Sequence, residues 1–300
     1  MEKITIAGQL FQYLITGITV GSIYAMVAVG FNIIYNVTEI INFAQGEFVM
    51  LGGLIMVFFR VVMGLPLIMA FPATVVVVTL VGILLDRLAI RPIRQPTVLT
   101  LIIATIAASI LLKGAAMFIW GKDPYDLPAF SGRNPITLFG AVIQPQYLWV
   151  IGFLIVIVII LSIFFNRTII GKAMSACADN PNAASLVGIN VNQMILLSFA
   201  LSAAIGAVAG ITVTPISLME YDRGAMLAVK GFGAAILGGL GSFPGAILGG
   251  LIMGSIESFG AGLISSGYKD AFALIVLLIV LFFRPSGILG SIEISKIKRF

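Results

Sequence analysis

Tyr147-Leu-Trp-Val-Ile-Gly-Phe-Leu-Ile-Val-Ile-Val-Ile-Ile-Leu-Ser-Ile-Phe-Phe165 contains no charged side chain and lies inside a longer charge-free segment, 134–166. A helix of about 20 apolar residues spans the hydrocarbon core of a bilayer, so this stretch predicts a transmembrane helix. Five more long segments of the sequence lack charges: 4–38, 61–85, 95–112, 180–219 and 231–256. The chain is therefore predicted to cross a membrane several times.

The composition excludes a soluble protein. Hydrophobic residues make up 60% of the 300 residues and charged residues only 10%, whereas soluble domains carry about 25% charged residues. The net charge of +5 is attributed to basic loops on the cytoplasmic side, so it gives no reason to expect a nucleic-acid partner.

Missing residue types exclude several kinds of enzyme. The sequence has no histidine, which excludes histidine-ligated zinc and haem sites and Ser-His-Asp triads. One cysteine, Cys177, cannot form an intramolecular disulfide. The phosphate-binding motif GxxxxGK[ST] does not occur. We expect a chain without catalytic residues, metal or bound cofactor, so any ATP must be hydrolysed by another subunit.

Hydrophobic segments lie near 9–30, 40–59, 66–85, 97–119, 147–165, 193–214, 224–241, 245–263 and 268–283. They predict an all-α polytopic membrane protein with about eight to ten transmembrane helices, including broken or re-entrant segments. No polar linker of domain size interrupts them, so residues 1–300 are interpreted as one transmembrane domain.

Basic residues predict the topology. They cluster in three regions: Arg87, Arg91 and Arg94; Arg167 and Lys172; and Arg284, Lys296, Lys298 and Arg299. The positive-inside rule places these regions, including the C-terminus, in the cytoplasm. Loops 120–146 and 220–223 then face outside, while the side of the N-terminus stays open.

Two apolar regions are interrupted. Polar residues break the first at Asn36, Thr38, Glu39, Asn42, Gln45 and Glu47. They indicate either a polar lining at membrane depth or a turn with a capped helix start. The second, 229–253, is rich in glycine, for which close helix packing is the simplest explanation. Its turn contains the hinge candidates Gly241, Pro244 and Gly245.

The loop 166–192 is predicted to be cytoplasmic and to contain two short helices. Asn180-Pro181 ends the first helix, and the second ends at Gly188. The loop is long and presents apolar residues, which is typical of a surface that binds a partner. An interfacial helix on the lipid surface is the alternative.

Five blocks of the sequence resemble one family. They are Ile41-Asn-Phe-Ala-Gln-Gly-Glu47, Arg91-Pro-Ile-Arg94, Gly171-Lys-Ala with Ala183-Ala-Ser-Leu-Val-Gly-Ile-Asn190, Ala235-Ile-Leu-Gly-Gly-Leu-Gly-Ser-Phe-Pro-Gly-Ala246, and Arg284-Pro-Ser-Gly-Ile-Leu-Gly290. Together they resemble the permease subunits of high-affinity branched-chain amino acid ABC importers. The short chain is similar to the smaller of the two permease types.

The resemblance implies a multi-pass permease in the inner membrane of a prokaryotic cell. Its expected partners are a second related permease or a second copy, two cytoplasmic ATPases that use the ATP, and an extracytoplasmic substrate-binding protein. It identifies 166–192 as the coupling loop, with these ATPase-coupling candidates: Gly171, Ala183, Ala184, Leu186, Gly188 and Ile189. Candidates for the substrate path are Asn42, Gln45 and Glu47. The same family includes permeases for urea and short amides, so the resemblance does not identify the substrate.

The alternative is an ion-coupled secondary transporter of small amino acids or amides, in which Glu39, Glu47 and Glu257 relay protons or bind a cation. A channel is disfavoured because no repeated selectivity segment occurs. A membrane scaffold would need no polar residues at membrane depth.

Overall fold

A computed structural model describes residues 6–93, 97–132, 134–138 and 140–290 of the chain. Helices form nearly all of the regular structure in this part. In chain order the elements are α1 (Ile6–Thr38), α2 (Gln45–Val57) with a π-helical extension (Phe58–Val62), α3 (Leu67–Leu85) with a π-helical extension (Asp86–Ile90), α4 (Val98–Trp120), the hairpin strands β1 (Ile136–Leu138) and β2 (Ala141–Ile143), α5 (Pro145–Arg167), α6 (Ile169–Asp179), α7 (Pro181–Leu186), α8 (Val191–Val213), α9 (Arg223–Gly238), α10 (Phe243–Leu263), a 3-10 turn (Ser266–Tyr268) and α11 (Lys269–Phe283).

Each of the nine predicted hydrophobic segments is helical. In the described chain, seven helices are long and apolar enough to cross a membrane: α1, α2 and α3 with their extensions, α4, α5, α8 and α10. The other two are shorter, with 16 residues in α9 and 15 in α11. The prediction of an all-α polytopic membrane protein is confirmed.

The core forms where glycine lets helix backbones touch. A Cβ added at Gly210 of α8 would overlap the carbonyl oxygen of Val49 in α2, and one at Gly254 of α10 would overlap the backbone of Gly21 in α1. Such close approach favours van der Waals packing between helices where no water drives association. As a result α1, α2 and α8 lie at the centre of the bundle.

The periphery is apolar on its outer surface. Only 22%, 11% and 17% of the most apolar windows of α3, α4 and α5 are buried, against 72%, 72% and 67% for α1, α2 and α8. Large side chains such as Phe118 and Ile110 are exposed on α4. This distribution is opposite to that of a soluble protein, and it suits contact with lipid tails or with another membrane subunit.

Contacts group the loops at two ends of the bundle. At one end Arg91 donates a hydrogen bond to the carbonyl oxygen of Asn192 (3.2 Å), and Phe165 stacks on Phe243 with 4.9 Å between ring centroids. The backbone of Tyr125 pairs with that of Met219 (2.8 and 3.0 Å) at the other end. The loops at these contacts therefore group as their charges predict, but the predicted outer segment 220–223 continues from Met219 to Gly224, which packs against Gly46 inside the bundle. Arg94, Arg133, Lys296, Lys298 and Arg299 lie outside the described residues.

A buried ion pair connects three helices. Lys230 Nζ in α9 donates to both carboxylate oxygens of Glu257 in α10 (2.9 and 3.0 Å), and Tyr24 of α1 donates to Glu257 Oε2 (2.8 Å). Lys230 and Glu257 expose only 8% and 7% of their surfaces. Breaking such a pair leaves an uncompensated charge, which is more costly than replacing both partners.

We expect Lys230→Met to destabilise the detergent-solubilised protein by about 3–5 kcal/mol, because it leaves the Glu257 carboxylate without its counter-ion. The double substitution Lys230→Met with Glu257→Leu should recover most of the loss. Thermal melting measures both effects, and Lys172→Met, at an exposed lysine, is the control. If Lys230→Met has the same melting temperature as the wild type, the ion pair of Lys230 and Glu257 does not stabilise the protein.

Candidate functional site

The polar interruption is a turn between α1 and α2 in which the chain reverses. Glu39 has a φ of 55°, a left-handed conformation that is rare for residues other than glycine. Asn42 Oδ1 accepts a hydrogen bond from the backbone N–H of Ala44, the residue before α2 (3.1 Å). Asn42 therefore stabilises the turn that leads into α2, while the N-cap residue is Ala44 and no side chain caps the helix.

Helix α2 begins halfway through the bundle. Gln45 in its first turn bonds through its side chain to Ser202, which lies at the midpoint of α8. Glu47 Oε1 accepts a hydrogen bond from the hydroxyl of Ser109, at the midpoint of α4 (2.9 Å). Because both partners are central residues of membrane-length helices, the turn reaches the middle of the membrane domain.

Helix α9 begins at the same depth. A Cβ added at Gly46 would overlap the carbonyl oxygen of Gly224, and one at Gly224 would overlap that of Gly46. From this contact α2 runs toward Thr214 and Met219, which lie against Gly53, while α9 runs to Gly238. Two helix N-termini, each with the positive end of its dipole, therefore meet inside the bundle.

One face of α4 adds polar groups to this region. Thr105, Ser109 and Lys113 are spaced by four residues and share a face of the helix. Thr105 accepts a hydrogen bond from the N–H of Phe43 (3.2 Å), and Lys113 Nζ lies 5.7 Å from the centroid of the Tyr221 ring. The sequence analysis missed these residues, although their regular spacing in an apolar helix was a usable signal.

Three charged groups interact here. Among the described residues, Lys113 and Asp222 interact electrostatically with the Glu47 carboxylate. Asp222 immediately precedes α9, yet its side chain makes no capping hydrogen bond. We call Glu47, Lys113 and Asp222 the central charge cluster.

Two polar atoms in this region lack partners. Glu47 exposes 1% of its surface and Asn42 none, and within the described residues neither Glu47 Oε2 nor Asn42 Nδ2 has a hydrogen-bond partner. Buried polar groups in proteins are normally hydrogen-bonded, since an unpaired one costs free energy. These two atoms leave one acceptor and one donor available to a ligand.

Gln45 differs from Asn42 and Glu47 because both polar atoms of its side chain have hydrogen-bond partners. Ser202 Oγ lies within hydrogen-bonding distance of Gln45 Oε1 and of the carbonyl oxygen of Gly30 (2.8 Å). The Gln45 side chain therefore holds α2 against α8 and α1. The structure brings all three sequence candidates together, but with different surroundings.

The second candidate region is the predicted helix pair in 166–192. Thr168 caps α6 by accepting from the N–H of Gly171 (2.9 Å), and Asn180 caps α7 by accepting from that of Ala183 (2.9 Å). The break at Asn180-Pro181 occurs as predicted. Gly171 lies in the first turn of α6, where a Cβ would overlap the carbonyl oxygen of Phe164 at the end of α5.

The tip of this helix pair is apolar and exposed. Leu186 and Val187 expose 87% and 78% of their surfaces, whereas Ala184 is buried. Gly188 follows with a φ of 89°, which ends α7 in a left-handed conformation. Ala183 is exposed, and Ile189 is half-buried against the core. The exposed apolar pair is thus Leu186 and Val187, of which sequence reasoning named only Leu186.

The hinge candidates lie in the turn between α9 and α10. Gly241 has a φ of 88°, and its carbonyl oxygen accepts a hydrogen bond from Asn36 of α1 (3.1 Å). Pro244 is in the first turn of α10, and a Cβ at Gly245 would overlap the carbonyl oxygen of Gly238. This turn is closely packed and attached to α1.

Comparison with known proteins gives a consistent result. Residues 13–281 match the family model described as the permease component of branched-chain amino acid transport systems. The chain is 37% identical to the high-affinity branched-chain amino acid transport system permease protein BraD of Pseudomonas aeruginosa and 35% identical to LivH of Escherichia coli, over 95% of this chain and 97% of each relative. It is 27% identical to the ribose import permease protein RbsC of Haemophilus influenzae, over 87% of this chain and 81% of that protein. The chain therefore belongs to the family of branched-chain amino acid transport system permease components.

Proposed function

We propose that this chain is the membrane-spanning permease subunit of an ATP-driven importer of branched-chain or related hydrophobic amino acids. The main support for this proposal is the similarity of the chain to BraD and LivH along almost its whole length. The chain supplies a translocation path and binds no cofactor, while two ATPase subunits use ATP. A second permease, or a second copy of this chain, completes the membrane part.

The path proposed here passes the turn between α1 and α2. Asn42, Gln45 and Glu47 lie at the middle depth of the bundle, where a transported molecule has left the water on either side. Non-helical backbone at membrane depth is tolerated where it is buried in protein or where it lines a water-filled cavity. An extracytoplasmic binding protein delivers the amino acid at the end that carries Tyr125 and Met219.

Reconstitution in liposomes with candidate ATPases, a second permease and a binding protein tests the function. We expect uptake of labelled leucine that requires ATP and the binding protein, because the chain has no nucleotide-binding motif of its own. Uptake abolished by a protonophore while ATP is maintained would instead support the ion-coupled transporter. A ribose or urea import assay on the same liposomes checks the substrate class.

We also propose that the end with Arg91, Lys172 and Asn192 faces the cytoplasm of a prokaryotic cell, with the bundle in the inner membrane. Basic residues concentrate at this end, as expected for loops that are not translocated. The same orientation places residue 290 at the cytoplasmic side, because Ile288 and Leu289 bond to the backbone of Leu237 and Gly238 (2.9 Å each).

Thiol labelling of intact cells tests this orientation. Lys172→Cys should resist an impermeant reagent, whereas Lys122→Cys, at the opposite end, should react rapidly. Both variants carry Cys177→Ala, although Cys177 itself should react slowly because it is buried and burial raises the pKa of its thiol. Rapid labelling at Lys172→Cys from outside would reverse the orientation.

Coupling is proposed to occur through the tip of α7. Leu186 and Val187 are exposed on a capped helix, a geometry suited to an apolar groove on an ATPase. Gly188 sets the direction in which the chain leaves this tip. Movement of the ATPases would be transmitted through α6 and α7 to α5 and α8.

We expect Leu186→Asp to abolish ATPase copurification or to separate hydrolysis from uptake. Loss of a buried anchor costs about 2 kcal/mol or more, which weakens binding more than tenfold. Leu186→Met keeps an apolar anchor and should bind normally. Gly188→Val should uncouple the complex because its φ is unfavourable for valine, while Gly188→Asn, which tolerates that φ, should retain coupling. Normal copurification and uptake in Leu186→Asp would exclude this tip as the coupling element.

A further inference from the structure

The central charge cluster is unlike the structural ion pair in the same protein. Lys230 and Glu257 are in direct contact, with both carboxylate oxygens within 3.0 Å of the ammonium group. In the described chain, by contrast, Lys113 forms no salt bridge, and Glu47 Oε2 has no hydrogen-bond partner. Charges at membrane depth are costly and mark functional sites when they are not neutralised locally.

We propose that the central charge cluster binds the zwitterionic head group of an α-amino acid during its passage, an inference that rests on the proposed function. The substrate ammonium group lies against Glu47 and Asp222, and its carboxylate against Lys113. The ammonium donates to Glu47 Oε2, the buried acceptor without a partner. A zwitterion supplies one charge of each sign, so it complements both kinds of group.

Two helix N-termini stabilise the acidic side of the cluster. The first turns of α2 and α9 meet at Gly46 and Gly224, and their dipoles favour the negative charges of Glu47 and Asp222. Lys113, which lies one turn beyond Ser109 on α4, provides the full positive charge. The cation sits over the Tyr221 ring, a contact that holds it without neutralising it.

An apolar surface next to the charges suits an aliphatic side chain. Asp222, Met226 and Val229 are spaced by four and three residues along one face at the start of α9. Met226 and Val229 expose 45% and 54% of their surfaces. Phe43, bonded to Thr105 one turn before Ser109 on α4, continues this surface toward Phe232, with 6.3 Å between ring centroids.

The experiment measures ATP-dependent uptake of labelled leucine by the reconstituted complex with a saturating, unaltered binding protein. Lys113→Met and Glu47→Gln should each lower the uptake rate at least about tenfold, since each leaves a substrate charge unpaired away from water. Lys113→Arg should retain most of the rate. Arg87→Met, which removes an exposed charge at the end opposite to Tyr125 and Met219, is the control and should transport normally.

Chemical rescue separates substrate binding from a structural role. Lys113→Cys, with Cys177→Ala, is assembled first and then modified with a thiosulfonate reagent that adds an aminoethyl group. This positive group should restore uptake, whereas a reagent that adds a methyl group should not. Failure of Lys113→Cys to assemble would assign Lys113 to stability and overturn the proposal.

The outcomes distinguish the two proposals. Absence of ATP-dependent leucine uptake by the wild-type complex contradicts the proposed function. Normal wild-type uptake together with normal uptake by Lys113→Met and Glu47→Gln leaves the function intact and refutes the zwitterion site. Reduced uptake in both variants, together with uptake by Lys113→Cys that only the positive reagent restores, supports the site, and a lack of restoration refutes it.

Discussion

Every part of this structure depends on one constraint: backbone N–H and C=O groups inside a membrane must be satisfied within the protein. Residues 39–44 interrupt the helical backbone, and this interruption reaches the middle of the bundle. It is tolerated because protein surrounds it: Asn42 bonds to the N–H of Ala44, Thr105 to that of Phe43, and Ser202 to the side chain of Gln45.

Glycine makes that enclosure possible. Gly210 lets α8 contact the backbone of α2, and Gly46 and Gly224 let the first turns of α2 and α9 touch. Larger side chains at these positions would force the helices apart. The hexamer Leu-Gly-Gly-Leu-Ile-Met occurs in both α2 and α10. Gly52 in α2 and Gly249 and Gly250 in α10 lie against the backbone of another helix, whereas Gly53 lies against the side chains of Thr214 and Met219. Close packing thus positions the central charge cluster as well as stabilising the fold.

The two groups of buried charges differ in how completely they are paired. The pair Lys230–Glu257, with Tyr24, connects α1, α9 and α10 and is complete in itself. Glu257 therefore has a structural explanation that the ion-coupled alternative did not consider. The charges of Glu47, Lys113 and Asp222 interact across α2, α4 and the start of α9 without such neutralisation. Incomplete pairing leaves these groups available for the substrate contacts that we propose for them.

The sequence by itself determined the class of protein, the nine hydrophobic helices, the grouping of the loops and the break at Asn180-Pro181, because each follows from hydrophobicity, charge or local backbone preference. Only the tertiary structure decided which polar residues are satisfied. Gln45 is hydrogen-bonded to Ser202, 157 residues away in the sequence, and Glu47 is hydrogen-bonded to Ser109, 62 residues away. Hydrogen bonds and electrostatic interactions depend on distance in space, which local patterns do not encode. For that reason the polar turn was recognised from the sequence, whereas Lys113 and Asp222 were found only in the folded chain.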